Sequence, residues 1–374
     1  MNNPTPIQIV PPSDASGHAG NNFDIVRFVA ASAVLFSHCY ALTAHGGGEP
    51  LVIATRGEYA FGGLAVRVFF VISGYLVTQS WMRRPHALAF VAGRALRIFP
   101  ALAAALLYGV LLGLVVTHLP KLQYLTHPDT WRYLWHNITL QTEFFLPGAF
   151  EDNPEPRAIN GSLWSLFYEV RAYLVVLVIG LLGLLRGPRR ASIAWCLAAA
   201  LIFLYGAAWG ISQANDWPVI NAFICFVGGA LLAVHPKIAR SKWLGVVGLC
   251  ALAAQPLLLG TRFSEACVDV LLIAGTIGFA YLRLPWVSNF GRYGDFSYGI
   301  FLFAFPTQQF VAWLGVSHEP MAMFALAFPL TLGLAALSWH FVERPCRDLK
   351  RLLRPRSPTP SGVPAQHGAV PVSR

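Results

Sequence analysis

The chain has 374 residues, of which 56% are hydrophobic and only 12% are charged. An ordinary soluble protein is about 25% charged, so this composition excludes that class and indicates a membrane protein. The formal net charge of +10 would also suit a nucleic-acid-binding protein, and the positions of the basic residues decide between the two explanations.

Ten apolar stretches are each long enough to cross a lipid bilayer. They predict an all-α, polytopic membrane helical bundle of about ten transmembrane helices, with the N- and C-termini in the cytoplasm. The stretches cover residues 23–43, 60–81, 98–118, 163–185, 191–211, 217–235, 243–260, 265–282, 296–315 and 320–342. In this orientation nineteen lysines and arginines lie on the cytoplasmic side and five on the opposite side. Because cytoplasmic loops are enriched in basic residues, we predict a multi-pass protein of the cell (inner) membrane that binds no nucleic acid.

The two ends of the chain differ in composition from its apolar body. Residues 1–22 predict a disordered cytoplasmic leader, and residues 351–374 predict a basic, Pro- and Ser-rich disordered cytoplasmic tail. Residues 23–350 form a single predicted membrane domain. The long outer connection 119–162 favours a rim or lid that meets a partner, and a plain surface connection is the alternative.

The first span carries ionisable residues, which are costly in lipid and usually functional. Asp24 and Arg27 lie at its start, and His38 lies about 21 Å from Asp24 along the helix axis, in the outer half of the bilayer. The fourth span runs in the opposite direction and brings Glu169 to a similar depth, about 9 Å from its outer end. A histidine and a carboxylate at one level are the ingredients of a general base and its orienting acid.

A structural ion-pair network is the alternative for these groups. Glu169 could pair with Arg171, or with Arg67, which lies about 10 Å into the second span from outside. At the inner side, Arg94 and Arg97 share one helical face at the mouth of the third span. Paired guanidinium groups suit a phosphate, but from these residues alone simple positive-inside anchoring is the preferred explanation.

Six motifs in chain order carry a resemblance to a known family. They are Asp24-x-x-Arg27 with downstream His38, Val68-Phe69-Phe70-Val71-Ile72-Ser73-Gly74-Tyr75-Leu76, Arg94-x-x-Arg97-Ile98-x-Pro100, Gly161-Ser162-Leu163-Trp164-Ser165-Leu166-x-x-Glu169, Phe296-Ser297-Tyr298-Gly299-Ile300-Phe301-Leu302 and Val342-Glu343-Arg344-Pro345. Over about residues 22–350 the chain resembles the integral-membrane acyltransferase-3 family, whose members are O-acyltransferases of cell-surface polysaccharides.

The resemblance implies a role for each matching position. His38 would be the general base that activates the acceptor hydroxyl, and Glu169 would support it. Arg94 and Arg97, with Asp24 and Arg27, would bind the phosphates of a cytoplasmic acyl-CoA, with acetyl-CoA as the expected donor substrate. The implied acceptor is a surface glycan or a lipid-linked saccharide, with no bound cofactor and no metal. The implied pocket residues are Arg67, Ser73, Tyr75, Trp164, Ser297 and Tyr298.

A transporter or flippase for glycan intermediates is the rival function, in which the intramembrane charges would form a proton relay. The six motifs favour the enzyme, as does the lack of a paired hydropathy repeat. Neither His-x4-Asp nor Gly-x-Ser-x-Gly occurs in the sequence, which favours direct attack of the acceptor on the thioester. One position departs from the family pattern, since Ala304 stands where a histidine is common.

Overall fold

The computed structural model of the protein describes residues 21–208, 217–282, 290–316 and 319–352, together with residues 284 and 287. Within these residues the secondary structure is helical, apart from one isolated bridge between Phe145 and Ala158. The predicted all-α fold class is therefore confirmed. The predicted leader 1–22 and tail 351–374 lie almost entirely outside the described residues.

The α-helices follow the predicted spans closely. In chain order they are α1 (Phe23–Leu42), α2 (Pro50–Ala54), α3 (Phe61–Arg83), α4 (Ala87–Val116), α5 (Lys121–Thr126), α6 (Pro128–Ile138), α7 (Trp164–Leu181), α8 (Pro188–Ala208), α9 (Trp217–Val234), α10 (Pro236–Ala239), α11 (Lys242–Leu258), α12 (Ser264–Ala280), α13 (Ser297–Trp313), α14 (Pro320–Ser338) and α15 (Arg344–Leu352). Every predicted span overlaps one long helix of this series.

Five segments of the described chain are long and apolar enough to cross a membrane. They are Phe23–Leu42, Phe61–Arg83, Ala87–Val116, Gly161–Leu181 and Pro320–Leu349. The helical membrane bundle is thus confirmed, while ten crossings and the cytoplasmic position of both ends stay predictions.

Helix α4 begins eleven residues before the predicted third span. The imidazole of His86 caps it by accepting a hydrogen bond from the backbone N–H of Ala89 (3.3 Å), and the first three turns carry Arg94 and Arg97. The predicted span begins only at residue 98, because the polar residues at the start of α4 lower the mean hydropathy there. Farther along, Leu107, Leu111 and Val115 are exposed at intervals of four residues, as expected of a lipid-facing stripe on one side of a helix.

Helix α1 lies between α3 and α13, and α3 also packs closely along α9. The close approach of α3 and α9 depends on glycine. A Cβ atom at Gly74 would collide with the carbonyl of Phe226, and one at Gly229 would collide with the carbonyl of Val71. Small residues let membrane helices approach in this way. These contacts fix α3 beside α9, while α3 also packs on α1 at the site described below.

The long connection 119–162 is held against the bundle by hydrogen bonds. The side-chain amide of Asn153 donates to Oε1 (2.7 Å) and to the backbone carbonyl (2.9 Å) of Gln309 on α13. The amide of Gln309 donates in turn to the backbone carbonyls of Glu155 (2.8 Å) and Ala158 (2.7 Å). The segment is therefore attached to α13 through Gln309. Its role in meeting a partner stays a prediction.

Candidate functional site

A vestibule of about 540 Å³ lies at the end of the bundle where α1 and α4 begin. Its wall within the described residues contains six arginines and three aspartates. A concave surface with this excess of positive charge attracts anions. The charged residues are Arg27, Arg94, Arg97, Arg292, Arg344, Arg347, Asp24, Asp295 and Asp348.

Asp295 organises the arginines of the vestibule. One of its carboxylate oxygens lies 3.4 Å from Nη2 of Arg27 on α1 and 3.4 Å from Nη2 of Arg97 on α4. The hydroxyl of Ser297 donates a hydrogen bond to the other oxygen. Burial alone would raise the pKa of the Asp295 carboxyl, but the Arg27 and Arg97 guanidinium groups outweigh it, so its pKa lies well below the usual value. The carboxylate therefore stays charged and links three elements.

Some donors of these arginines remain unused. Arg27 pairs with Asp24, three residues away on α1, yet its Nε is buried without a hydrogen-bond partner among the described residues. The Nε of Arg94 is buried and unpartnered in the same way. Buried donors without partners are costly, and a bound anion with several oxygen atoms would satisfy them.

A second, more enclosed cavity of about 200 Å³ continues from the vestibule into the bundle. Arg27, Arg94 and Arg97 line both spaces. On α7 this inner cavity extends from Tyr173 to Ser165, about 12 Å along the axis. Its other polar lining residues are Ser73, Glu169, Ser297 and Tyr298, and its apolar ones are Val66, Phe69, Phe70, Ile72, Leu76, Val77, Ile98 and Phe301.

Glu169 lies on the wall of the inner cavity, on the side of the arginines. Its carboxylate accepts hydrogen bonds from the hydroxyls of Ser73 (3.3 Å) and Tyr173. The guanidinium of Arg94 lies 5.9 Å from the centre of the Tyr173 ring. This arrangement connects the carboxylate to the anion-binding end of the site.

His38 lines neither cavity. Its ring meets the ring of Phe305 on α13 edge to face, with centroids 5.2 Å apart, and its Nδ1 is buried without a hydrogen-bond partner in the described chain. Phe305 lies one turn, about 6 Å, beyond Phe301 of the inner cavity. His38 thus contacts a residue one helical turn from the cavity lining, and the structure shows no contact between His38 and Glu169.

Three residues predicted for the pocket lie elsewhere. Arg67 donates a hydrogen bond to Glu265 on α12 (2.7 Å) and lies 3.5 Å from Asp269, so its partners are these carboxylates and not Glu169. The hydroxyl of Tyr75 bonds that of Tyr281 (2.6 Å) in the packed core. The ring of Trp164 packs against Tyr168 on the same helix. Arg67 and Tyr75 thus contact partners distant in sequence that the sequence alone did not identify.

Eight of the predicted residues do line the two cavities, namely Asp24, Arg27, Ser73, Arg94, Arg97, Glu169, Ser297 and Tyr298. Sequence analysis missed Asp295, Tyr173, Trp339 and Arg347, which share these walls. Two signals were present in the sequence. Asp295 directly precedes the motif that begins at Phe296, and Tyr173 lies one helical turn after Glu169.

Comparison with known proteins gives matches along most of the chain. Residues 21–340 match the family model described as an acyltransferase domain (Acyl_transf_3). The chain is 32% identical over 347 residues to an O-acetyl transferase of Shigella phage Sf6, which covers 87% of this chain and 96% of that protein. It is 30% identical over 382 residues to Nodulation protein 10 of Rhizobium leguminosarum bv. viciae, with 91% and 96% covered.

A third relative is the exopolysaccharide production protein ExoZ of Rhizobium meliloti. It is 28% identical over 316 residues, which cover 78% of this chain and 91% of that protein. No solved structure matches the chain.

Proposed function

This chain belongs to the acyltransferase-3 family and is a membrane O-acyltransferase, and from that premise we propose its donor, its acceptor and its base. The donor is a cytoplasmic acyl-CoA, with acetyl-CoA first. The acceptor is a hydroxyl of a polysaccharide or a lipid-linked saccharide outside the inner membrane. The base is His38. The observation that carries the proposal is the arginine-lined vestibule that continues into a narrow cavity ending near His38.

The donor side follows from charge and shape. Coenzyme A carries phosphates, which guanidinium groups bind in a bidentate geometry, and Arg27, Arg94 and Arg97 stand where the vestibule meets the inner cavity. The pantetheine arm and the thioester then enter the inner cavity. Glu169 supports this side through its bonds to Ser73 and Tyr173.

The chemical step needs one proton acceptor near the thioester. The acceptor oxygen attacks the thioester carbonyl carbon, the C–O bond forms, the C–S bond breaks, and coenzyme A leaves as a thiol. His38 takes the hydroxyl proton, since its Nδ1 has no partner among the described residues. The proton then passes to the departing sulfur. General-base assistance of this kind contributes about 10²- to 10⁴-fold in rate.

The test is a labelled-donor assay with the full-length protein in membrane vesicles. Acetyl-CoA labelled in the acetyl group is supplied on the cytoplasmic side, and ester-linked label is measured on surface glycans. We expect label on glycan hydroxyls only when the chain is present, together with release of free coenzyme A. Glycan ester content that is the same with and without the chain would overturn the proposal. The transporter alternative is not favoured, because the family and the Shigella phage relative are named for acyl transfer.

A further inference from the structure

Two aromatic side chains from different helices lie side by side on the lining of the inner cavity. Phe69 on α3 and Phe301 on α13 both line the cavity, and their ring centroids are 5.9 Å apart in an edge-to-face arrangement. Edge-to-face aromatic pairs are mutually stabilising. The pair therefore joins the two helices between which α1 lies and supplies two large rings to the lining of the cavity.

The lining beside this pair is mostly apolar and rests on a packed core. Phe70 lines the cavity and is backed by the rings of Phe223 and Phe226, at centroid distances of 6.0 and 6.5 Å. Val66 and Phe70 are buried. Close-packed side chains in a core leave little room for an added methylene. This part of the cavity thus suits a short alkyl group and resists a longer one.

The position of this pair relative to His38 identifies the part of the cavity that matters for the acyl group. Phe301 lies one turn, about 6 Å, before Phe305 on α13, and Phe305 contacts the ring of His38. A donor held by its phosphates at Arg94 and Arg97 reaches that level through its pantetheine arm. Its acyl end then lies beside Phe69 and Phe301, which both line the cavity.

We propose that Phe69 and Phe301 set the length of the acyl group that the protein accepts, and that they restrict it to short chains. The inference rests on the proposed acyl-CoA donor. Discrimination by a hydrophobic pocket against one extra methylene is commonly tenfold or more. Because both rings line the cavity, truncating either one separately enlarges the pocket.

Phe303 provides a matched control on the same helix. It is buried and packs against Tyr108, with ring centroids 5.6 Å apart, and it does not line the inner cavity. Truncating it removes a phenyl ring from the core of α13 without opening the cavity. A purely structural role for Phe301 would make the two truncations equivalent in donor preference.

The experiment measures Kd for acetyl-CoA and butyryl-CoA by calorimetry with the purified full-length protein in detergent. For the wild-type protein we expect butyryl-CoA to bind no more tightly than acetyl-CoA. In Phe301→Ala and Phe69→Ala, butyryl-CoA should become about tenfold favoured over acetyl-CoA, because two further methylenes are buried. In Phe303→Ala the ratio should equal that of the wild-type protein.

An unchanged ratio in both cavity variants, with acetyl-CoA still bound, would overturn the inference and leave the proposed donor intact. If an alanine variant does not fold, Phe301→Leu and Phe69→Leu are measured with propionyl-CoA and the same criterion. If the wild-type protein binds neither acyl-CoA, the proposed donor fails and this inference fails with it. The wild-type measurement therefore separates the two failures.

Discussion

The vestibule and the surroundings of His38 differ in polarity, since the vestibule is rich in charged groups and His38 contacts an aromatic ring. In the vestibule, charged groups from α1, α4 and the residues before α13 hold one another, with Asp295 between Arg27 and Arg97. Around His38, an aromatic ring is the neighbour and a ring nitrogen is left without a partner among the described residues. Fixed charges favour tight binding of a charged group before reaction. A free nitrogen in an apolar setting suits a proton transfer that occurs only during reaction.

A second pair of regions shows why the number of carboxylates matters. Arg67 faces two carboxylates, those of Glu265 and Asp269. In the vestibule the arginines outnumber the aspartates. A buried arginine already matched by acids has no capacity for an anionic ligand, whereas an excess of arginines does. Intramembrane charge by itself therefore does not identify a binding site.

The largest expected effect is the loss of acyl-transfer rate on substitution of His38, in its apolar surroundings. His38→Ala should lower the rate of acyl transfer by about 10²- to 10⁴-fold, with Kd for acetyl-CoA unchanged, because His38 lines neither cavity. The assay is transfer of labelled acetyl to glycan, together with calorimetric binding of the donor. His45→Ala, an exposed histidine just beyond α1, is the control and should retain the wild-type rate. Full activity of His38→Ala would refute the assignment of the base.

The second-largest expected effect is on donor binding at the charged vestibule. Arg94→Gln should weaken donor binding by about 10- to 100-fold, since a hydrogen bond to a charged group is worth about 1.5–3 kcal/mol. The maximal rate at saturating donor should change much less. Arg84→Gln makes the same change of charge at the same end of the bundle on an exposed residue that lines neither cavity. Equal Kd values for the two variants would mean that Arg94 serves only as a membrane anchor.

The smallest expected effect is on the free energy of unfolding and concerns Asp295, which pairs with Arg27 and Arg97. Asp295→Asn should lower the free energy of unfolding at neutral pH by about 1.5 kcal/mol, because Arg27 keeps its pair with Asp24. The folded-state pKa of Asp295 is below its usual value, which is about 3.9 in an unfolded chain. Its stabilisation is therefore present above that value and is lost as pH falls through the folded pKa.

Thermal denaturation in detergent between about pH 3 and pH 8 checks this dependence around the unfolded-chain pKa. The difference between wild type and Asp295→Asn should be constant above about pH 5 and should shrink on further acidification. Asp152→Asn is the control, because that carboxylate is 89% exposed and, among the described residues, forms its ion pair with His118. A difference that grows on acidification would contradict the assigned ion pairs.

The sequence predicted the helices but not how they face one another. Helical rise gave His38 and Glu169 similar predicted depths, because rise depends on chain position alone. Which helices face each other depends on packing, so His38 lies against Phe305 and Glu169 against Ser73. Membership of the family was confirmed because its motifs are local runs of residues.

Contacts between residues distant in sequence escaped prediction for the same reason. Arg67 and Glu265 are separated by 198 positions, and no periodicity within one span reports such a pair. Asp295 was overlooked since it lies in a short connection, where hydropathy gives no signal. The ten apolar runs, by contrast, each overlap a helix, because burial or lipid contact over a whole span demands them.

The anchoring of the segment 119–162 by Gln309 has a practical consequence for mapping the protein in cells. The segment is tied down at Asn153, Glu155 and Ala158, while Glu151 and Asp152 form an exposed turn beside these anchors. Exposed turns tolerate inserted residues where hydrogen-bonded backbone does not. A short epitope placed between Glu151 and Asp152 would therefore report the side of the membrane on which the segment lies, with the helices below it left in place.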